Sequence, residues 1–241
     1  SDYRDLMPLA RDAGIPYLPF VRVSEPEVES FLRVHGFDQL WVIGLSQLVP
    51  DHLIELGPEG GIGFHPTMLP EGRGRAPVAW TILKGARAAV SLFHLTDEAD
   101  AGDLVAQREV DVLPDDYSWQ LVERTNEVLR EVIVDLSPSI RNGTVQRTPQ
   151  DHSKATSYPR RTPDDGAMDW SSTTDHLYRL IRAAGRPYPG AFWSLKGERL
   201  TVWRARLPEP DLDTEAGDRR PGEVLQVRHE RDALVNTTDG A

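Results

Sequence analysis

Hydrophobic and polar positions alternate between helical and strand periods as far as Arg141, and then the pattern stops. Pro8, Leu9, Ala10 and Ala13, closed by Gly14, predict a short helix. Ile15 to Phe20 reads as a short strand. Ser24 as N-cap and Pro26 near the first turn predict a second helix, with Val28, Phe31, Leu32 and His35 on one face and Gly36 as its stop. Leu40 to Leu45 is a continuous apolar run and reads as a strand buried on both faces, as in a parallel sheet. Ile62 to Phe64 is a strand, Pro77 to Leu83 a helix stopping near Gly85, and Ala88 to Leu95 and Leu104 to Leu113 two further strands. Asp115 or Asp116 is expected to cap a long helix with Trp119, Leu121, Val122, Val128, Leu129 and Val132 as core positions.

From Arg141 to Asp169 Pro, Thr, Gln, Arg and Asp dominate without a period, which reads as an extended linker. A short amphipathic helix follows, with His176, Leu177, Leu180, Ile181 and Ala184 on one face. Ala191 to Leu195, Leu200 to Ala205, Glu223 to Val227 and Ala233 to Val235 read as strands, and Pro208 to Arg220 as a polar loop. These elements define an α/β protein: a Rossmann-like, parallel-rich sheet in residues 1–156, a linker over 157–170, and a helix plus a small β-rich subdomain over 171–241. A sheet of this kind usually opens on its central strand, whereas this chain opens on a helix, so both ends are expected to be incomplete.

Composition changes this picture little. At 241 residues, 39% hydrophobic and 27% charged, the chain suits a folded globular protein. It has no cysteine, which excludes disulfides and thiolate metal sites and fits a cytoplasmic protein. No apolar run approaches a membrane span, so no membrane partner is expected. A net charge of −11 argues against a large nucleic-acid partner, because tracking phosphates takes a basic patch. A small phosphorylated ligand held by one or two arginines stays open.

The chemistry concentrates at Gly61-Ile62-Gly63-Phe64-His65-Pro66-Thr67-Met68-Leu69-Pro70, where a short strand delivers a histidine into a Pro-bounded loop. Thr96 to Asp103 again follows a strand and carries Asp100. If the strands are neighbours, His65 and Asp100 meet, and a carboxylate beside an imidazole is what a proton-transfer catalyst needs. The bland reading, an ordinary hydrogen-bonded pair, is the commoner one for these residues alone. Arg73 and Arg75 could hold a phosphate or carboxylate, or could simply be solvated. The remaining histidines share no metal-ligand spacing.

The runs GFHPTMLPEGRGRAPVAWTILKG and ADAGDLVAQ, then Arg160 to Gly166, Asp169-Trp170, Arg186 to Phe192 and Val202-Trp203, resemble the folate-dependent formyltransferase superfamily, whose pattern is close to N-x-H-x-S-x-L-P with a downstream D-x-G-D. The resemblance covers nearly the whole chain in order. It implies an enzyme that moves a formyl group from the co-substrate 10-formyltetrahydrofolate to an amine. His65 matches the family histidine and Asp100 the family aspartate. The family asparagine, expected to donate to the developing oxyanion, falls on Gly63, and loss of one such donor typically costs about 10²–10³ in rate. Gln47, Arg75 or a backbone N–H are candidate replacements. The resemblance places the pterin near Ile43, Leu45, Leu48 and Val49 and near Thr96 and Glu98, although core packing is the plainer reading for each apolar one.

The loops resemble most the aminoarabinose-pathway formyltransferase and its sugar-modifying relatives, which implies an amino sugar carried on a nucleotide as the small-molecule acceptor. Initiator methionyl-tRNA and an N-hydroxyornithine-type amine are the alternatives. A relative that binds folate or a nucleotide without turnover is the alternative of another class. Oligomeric state stays open.

Overall fold

A computed structural model of the chain describes residues 5–207, 219–229 and 232–239. Two compact units divide it: Ser1–Pro77, Arg87–Asp111 and Thr125–Pro159 form the first, and Val78–Ala86, Val112–Arg124 and Arg160–Ala241 the second. Among the described residues no helix is long and apolar enough to cross a membrane.

The first unit opens with helices α1 (Met7–Asp12) and α2 (Pro26–His35). Pro26 occupies the first helical position and Gly36, at φ 65°, ends α2. The N-cap is Glu25, one residue after the expected Ser24. Ile15 to Phe20 forms no strand. Pro16 and Pro19 remove two of the amide donors a ladder would need there.

Strands β1 (Leu40–Val42), β2 (Gly61–His65), β4 (Ala88–His94) and β5 (Leu104–Val110) form one sheet in the order β1-β2-β4-β5. The class is α/β as expected, and the sheet is mixed. The β1–β2 pair is parallel, and β2–β4 and β4–β5 are antiparallel. Every residue of β4 is buried, because it has a neighbour on each side. Among the described residues the apolar run at Leu40 forms the outer strand of this sheet, three half-buried residues, and Ile43 beyond it is exposed. Helix α3 (Asp51–Ile54) packs Leu53 into a small core with Val23 and Val28.

Two-residue strand β3 (Arg73–Gly74) pairs in parallel with β6 (Ser157–Tyr158). The stretch expected to be an extended linker therefore holds a strand, a 3₁₀ turn at His152–Lys154, and another at Pro163–Gly166.

The second unit contains most of α4 (Pro77–Lys84) and the first turns of the long helix α5 (Ser118–Arg141). Asp116 does not cap α5: its carboxylate accepts the Leu113 amide and the Arg124 guanidinium. Gln120 instead reaches back to accept the Tyr117 amide. Leu121, Leu129 and Val132 are buried in α5, whereas Trp119 is exposed. Helix α6 (Thr174–Ala184) buries Leu177, Leu180, Ile181 and Ala184 against Met168 and Ala191. His176 is exposed, since the apolar stripe begins one residue later. Strands β7 (Ala191–Leu195) and β8 (Glu198–Val202) form one antiparallel pair, and β9 (Val224–His229) and β10 (Asp232–Val235) another. The predicted polar loop from Pro208 lies outside the described residues except at 219–220.

Candidate active site

Alternation along β2 puts Gly61, Gly63 and His65 on one face of the sheet. At Gly61 and Gly63 that face is already full. A Cβ on Gly61 would lie 2.6 Å from Leu95, and one on Gly63 would lie 2.7 Å from Phe93 and 2.8 Å from Leu95. His65 is 5% exposed. Its Nε2 lies 2.8 Å from the Gly72 carbonyl oxygen. A carbonyl only accepts, so Nε2 carries the hydrogen and Nδ1 of the neutral ring is left with its lone pair. That lone pair faces Asp100 Oδ2 at 3.6 Å. The distance is too long for a hydrogen bond and short enough for strong attraction once Nδ1 takes a proton.

The loop between β2 and β3 owes its shape to buried polar groups. The Thr67 hydroxyl donates to the Glu71 carbonyl, and the Ser91 hydroxyl, on β4 opposite His65, donates to the Thr67 carbonyl. Gln107 on β5 donates to Ser91 Oγ and to the Leu69 carbonyl. Past the loop, the Gly74 amide donates to Asp100 Oδ2 at 2.8 Å. Histidine and aspartate are thus both fixed where this loop runs into β3, at Gly72 and at Gly74.

Residues of the aperiodic stretch complete the surroundings. Gly72 donates its amide to Thr156 Oγ1, Arg73 donates its own to the Thr156 carbonyl, and Arg75 donates to the Tyr158 carbonyl. Gly74, at φ 100°, passes so close that a Cβ would lie 2.5 Å from the Tyr158 oxygen. Burial pushes the Tyr158 hydroxyl above its ordinary pKa, and Glu71 adds to the effect.

The sequence-predicted residues separate into two groups. His65, Asp100 and Gly63 lie together around β2. Arg75 is exposed and donates to the Ser46 carbonyl, which ties the histidine loop to the segment carrying Ile43 and Leu48. Both of those apolar side chains are exposed, at 41% and 67%. Leu45 and Val49 are half-buried against the Val23–Val28–Leu53 core. Gln47 accepts the Val23 amide and donates to the Val21 carbonyl, so its amide is engaged with the chain preceding α2. Thr96 donates to the Glu98 carbonyl, and Glu98 pairs with Arg73 at 3.3 Å. Arg73 itself is buried and bonds Gln150 and His152 as well. Thr67, Ser91, Gln107, Gln150 and Thr156 were not anticipated. Thr67 and Gln107 lie within the runs that carry the family resemblance, but nothing in those runs marks them as hydrogen-bonding partners; Ser91, Gln150 and Thr156 lie outside them, and the bonds they make depend on tertiary position, which a single sequence does not display.

The chain belongs to the formyl transferase family: the family's formyl transferase model matches residues 16–136 and its C-terminal domain model residues 160–241. Among solved structures, HypX from Aquifex aeolicus is similar at 24% identity over 87% of this chain, with a TM-score of 0.70. This chain spans only 35% of that protein's length. Another HypX structure is a complex with tetrahydrofolic acid. A sugar N-formyltransferase from Shewanella sp FDAARGOS_354 is 17% identical over 78% of each chain, with a TM-score of 0.66. Methionyl-tRNA formyltransferase from Clostridium thermocellum is 23% identical over 74% of this chain and 76% of its own, with a TM-score of 0.63. At such identities the likenesses establish the fold.

Proposed function

We propose that the protein transfers a formyl group from 10-formyltetrahydrofolate to a primary amine, with His65 as the proton acceptor and Asp100 as its counter-charge. The observation that carries this is the orientation of His65. Its Nε2–H is committed to Gly72, and its Nδ1, on a side chain buried at the end of β2, lies 3.6 Å from the Asp100 carboxylate. The amine nitrogen attacks the formyl carbon and a C–N bond forms. Nδ1 takes the amine proton, and the imidazolium is stabilised by Asp100. Collapse of the tetrahedral intermediate breaks the bond to N10, and the proton on Nδ1 passes to that leaving nitrogen. Tetrahydrofolate and the formamide are released.

The residues present fit a pterin. Ile43 and Leu48 offer exposed apolar surface on a segment that Arg75 ties to the histidine loop. In this reading these two flank the ring, Leu45 and Val49 support them from the core, and Thr96 and Glu98 edge the other side. Arg75 is the cation available to an acceptor's phosphate. An amino sugar on a nucleotide is the favoured acceptor, supported by the likeness to a sugar N-formyltransferase along most of both chains. The net charge of −11 weighs against methionyl-tRNA.

Gly63 favours a second reading. Phe93 and Leu95 fill the space where a polar side chain would point toward the histidine, so the site lacks that donor. A relative that binds folate without turnover accounts for the same observation. Tetrahydrofolate release from 10-formyltetrahydrofolate, measured with nucleotide-linked amino sugars, N-hydroxyornithine and methionyl-tRNA, separates the two. Release with an amino sugar is expected. Tight folate binding with no release from any amine would establish the second reading.

A further inference from the structure

Resting on the role proposed for Asp100, we infer that Gln150 is the positioning residue that holds this carboxylate opposite His65. Asp100 sits at φ 57°, in the left-handed region that residues with a Cβ rarely adopt. On one side of it, Thr96 to Ala99 are exposed. On the other, Gly102 lies against β4 so closely that a Cβ would meet the His94 carbonyl oxygen at 1.8 Å, and Asp103 accepts the His94 amide. The turn between these parts is gripped by one side chain. Gln150 Nε2 donates to the Asp100 carbonyl at 2.9 Å and to the Gly102 carbonyl at 2.7 Å. Its Oε1 accepts Arg73 Nη2 at 2.8 Å. Both hydrogens of the amide and its oxygen are engaged, and the residue is 5% exposed.

Gln150 is itself fixed from behind. Two residues earlier, Thr148 exchanges both backbone hydrogen bonds with Leu104 at the start of β5. Nothing in this geometry brings Gln150 to the reacting atoms. It acts on Asp100 by setting the Asp100–Ala101 and Gly102–Asp103 peptide planes, and through the first of them the direction of the carboxylate toward Gly74 and His65. The requirement is for two donors and one acceptor in a planar group of this length. Glutamate keeps the acceptor for Arg73 but turns lone pairs toward two carbonyl oxygens. Methionine keeps the volume and loses every bond.

Two variants, Gln150→Glu and Gln150→Met, test this with and without turnover. Without substrate, hydrogen exchange at the Gly74 amide reports the Asp100 carboxylate directly, since that amide donates to Oδ2. Exchange there is expected to quicken at least about tenfold in both variants relative to the amides of β4. With substrate, kcat is expected to fall about 10- to 100-fold while KM for the folate stays within about threefold. In an Asp100→Ala background the same changes at 150 should cost less than about threefold, because the residue they act through is gone. A core-filling role predicts that Met behaves as wild type, and a role confined to anchoring Arg73 predicts that Glu does. Either result, unchanged Gly74 exchange, or losses that multiply fully with Asp100→Ala overturns the inference. A wild type that transfers no formyl group would sink the proposed function instead, and Gly74 exchange alone would then decide the positioning.

Discussion

Two stretches of the first unit surround His65, and they are built on opposite terms. The loop from β2 to β3 follows a strand of apolar and small residues and is bounded by prolines. The stretch 148–158 has no hydrophobic period and leaves most of its side chains exposed. Yet Thr156 and Tyr158 hold the backbone at Gly72, Arg73 and Arg75, and Gln150 holds Asp100 and Gly102. The proposed catalytic pair is tied to the backbone at the end of this loop, through Gly72 and Gly74, and the stretch holds that backbone through carbonyls, amides and uncharged side chains. A site can therefore depend on a segment whose composition resembles a linker.

The most severe test of the loop's packing is Gly102→Ala. Its Cβ would sit 1.8 Å from a main-chain oxygen that cannot rotate away, so a loss of more than about 4 kcal/mol is expected in denaturant unfolding. Near-wild-type stability would mean that the Asp100 turn is not seated against β4. Gly74→Ala probes the meeting of the two stretches. The close approach to the Tyr158 carbonyl and the positive φ together are expected to cost about 2–4 kcal/mol. A neutral result would separate β3 from β6 and break the comparison.

Gly63→Asn comes next. Leu95 can rotate aside but the buried Phe93 ring gives less readily, so about 1–3 kcal/mol is expected, with the variant still folded. Gain of transfer activity would mark a degraded site, and loss would mark necessary room. The smallest effect belongs to His94, which lies buried with Nε2 unpartnered. Burial, and then Arg147, hold it below its ordinary value of 6.5. The unfolded chain therefore binds a proton that the folded chain does not, and stability falls as pH drops through 6.5 toward the lower folded value. His94→Leu should flatten the decline of Tm between pH 7 and pH 5; an unchanged slope would assign the acid sensitivity elsewhere.

The difference between the two stretches also explains what could be read from the sequence. Period and punctuation located α2, β2, α4, β4 and α6, because burial of one face or of both writes itself into spacing. Leu40 to Leu45 overstated the strand, because an apolar run does not by itself show how far the pairing or the burial extends, and Ile15 to Phe20 misled because its prolines remove donors. His65 and Asp100 were legible as a family motif and as strand-end polar residues. Gln150 and Thr156 were not, since a glutamine or threonine that holds a neighbouring backbone is spelled like one that faces only solvent. The tautomer was not legible either, because the group that fixes it is a backbone carbonyl, that of Gly72.

The central claim is that Nδ1 of His65 takes the amine proton with Asp100 as its counter-charge. Its most direct test is formyl transfer by His65→Ala and Asp100→Ala beside the wild type, with folate binding measured on each. Binding within about threefold of wild type and transfer reduced at least about 10²-fold are expected of both variants. Wild-type transfer by either one would contradict the account.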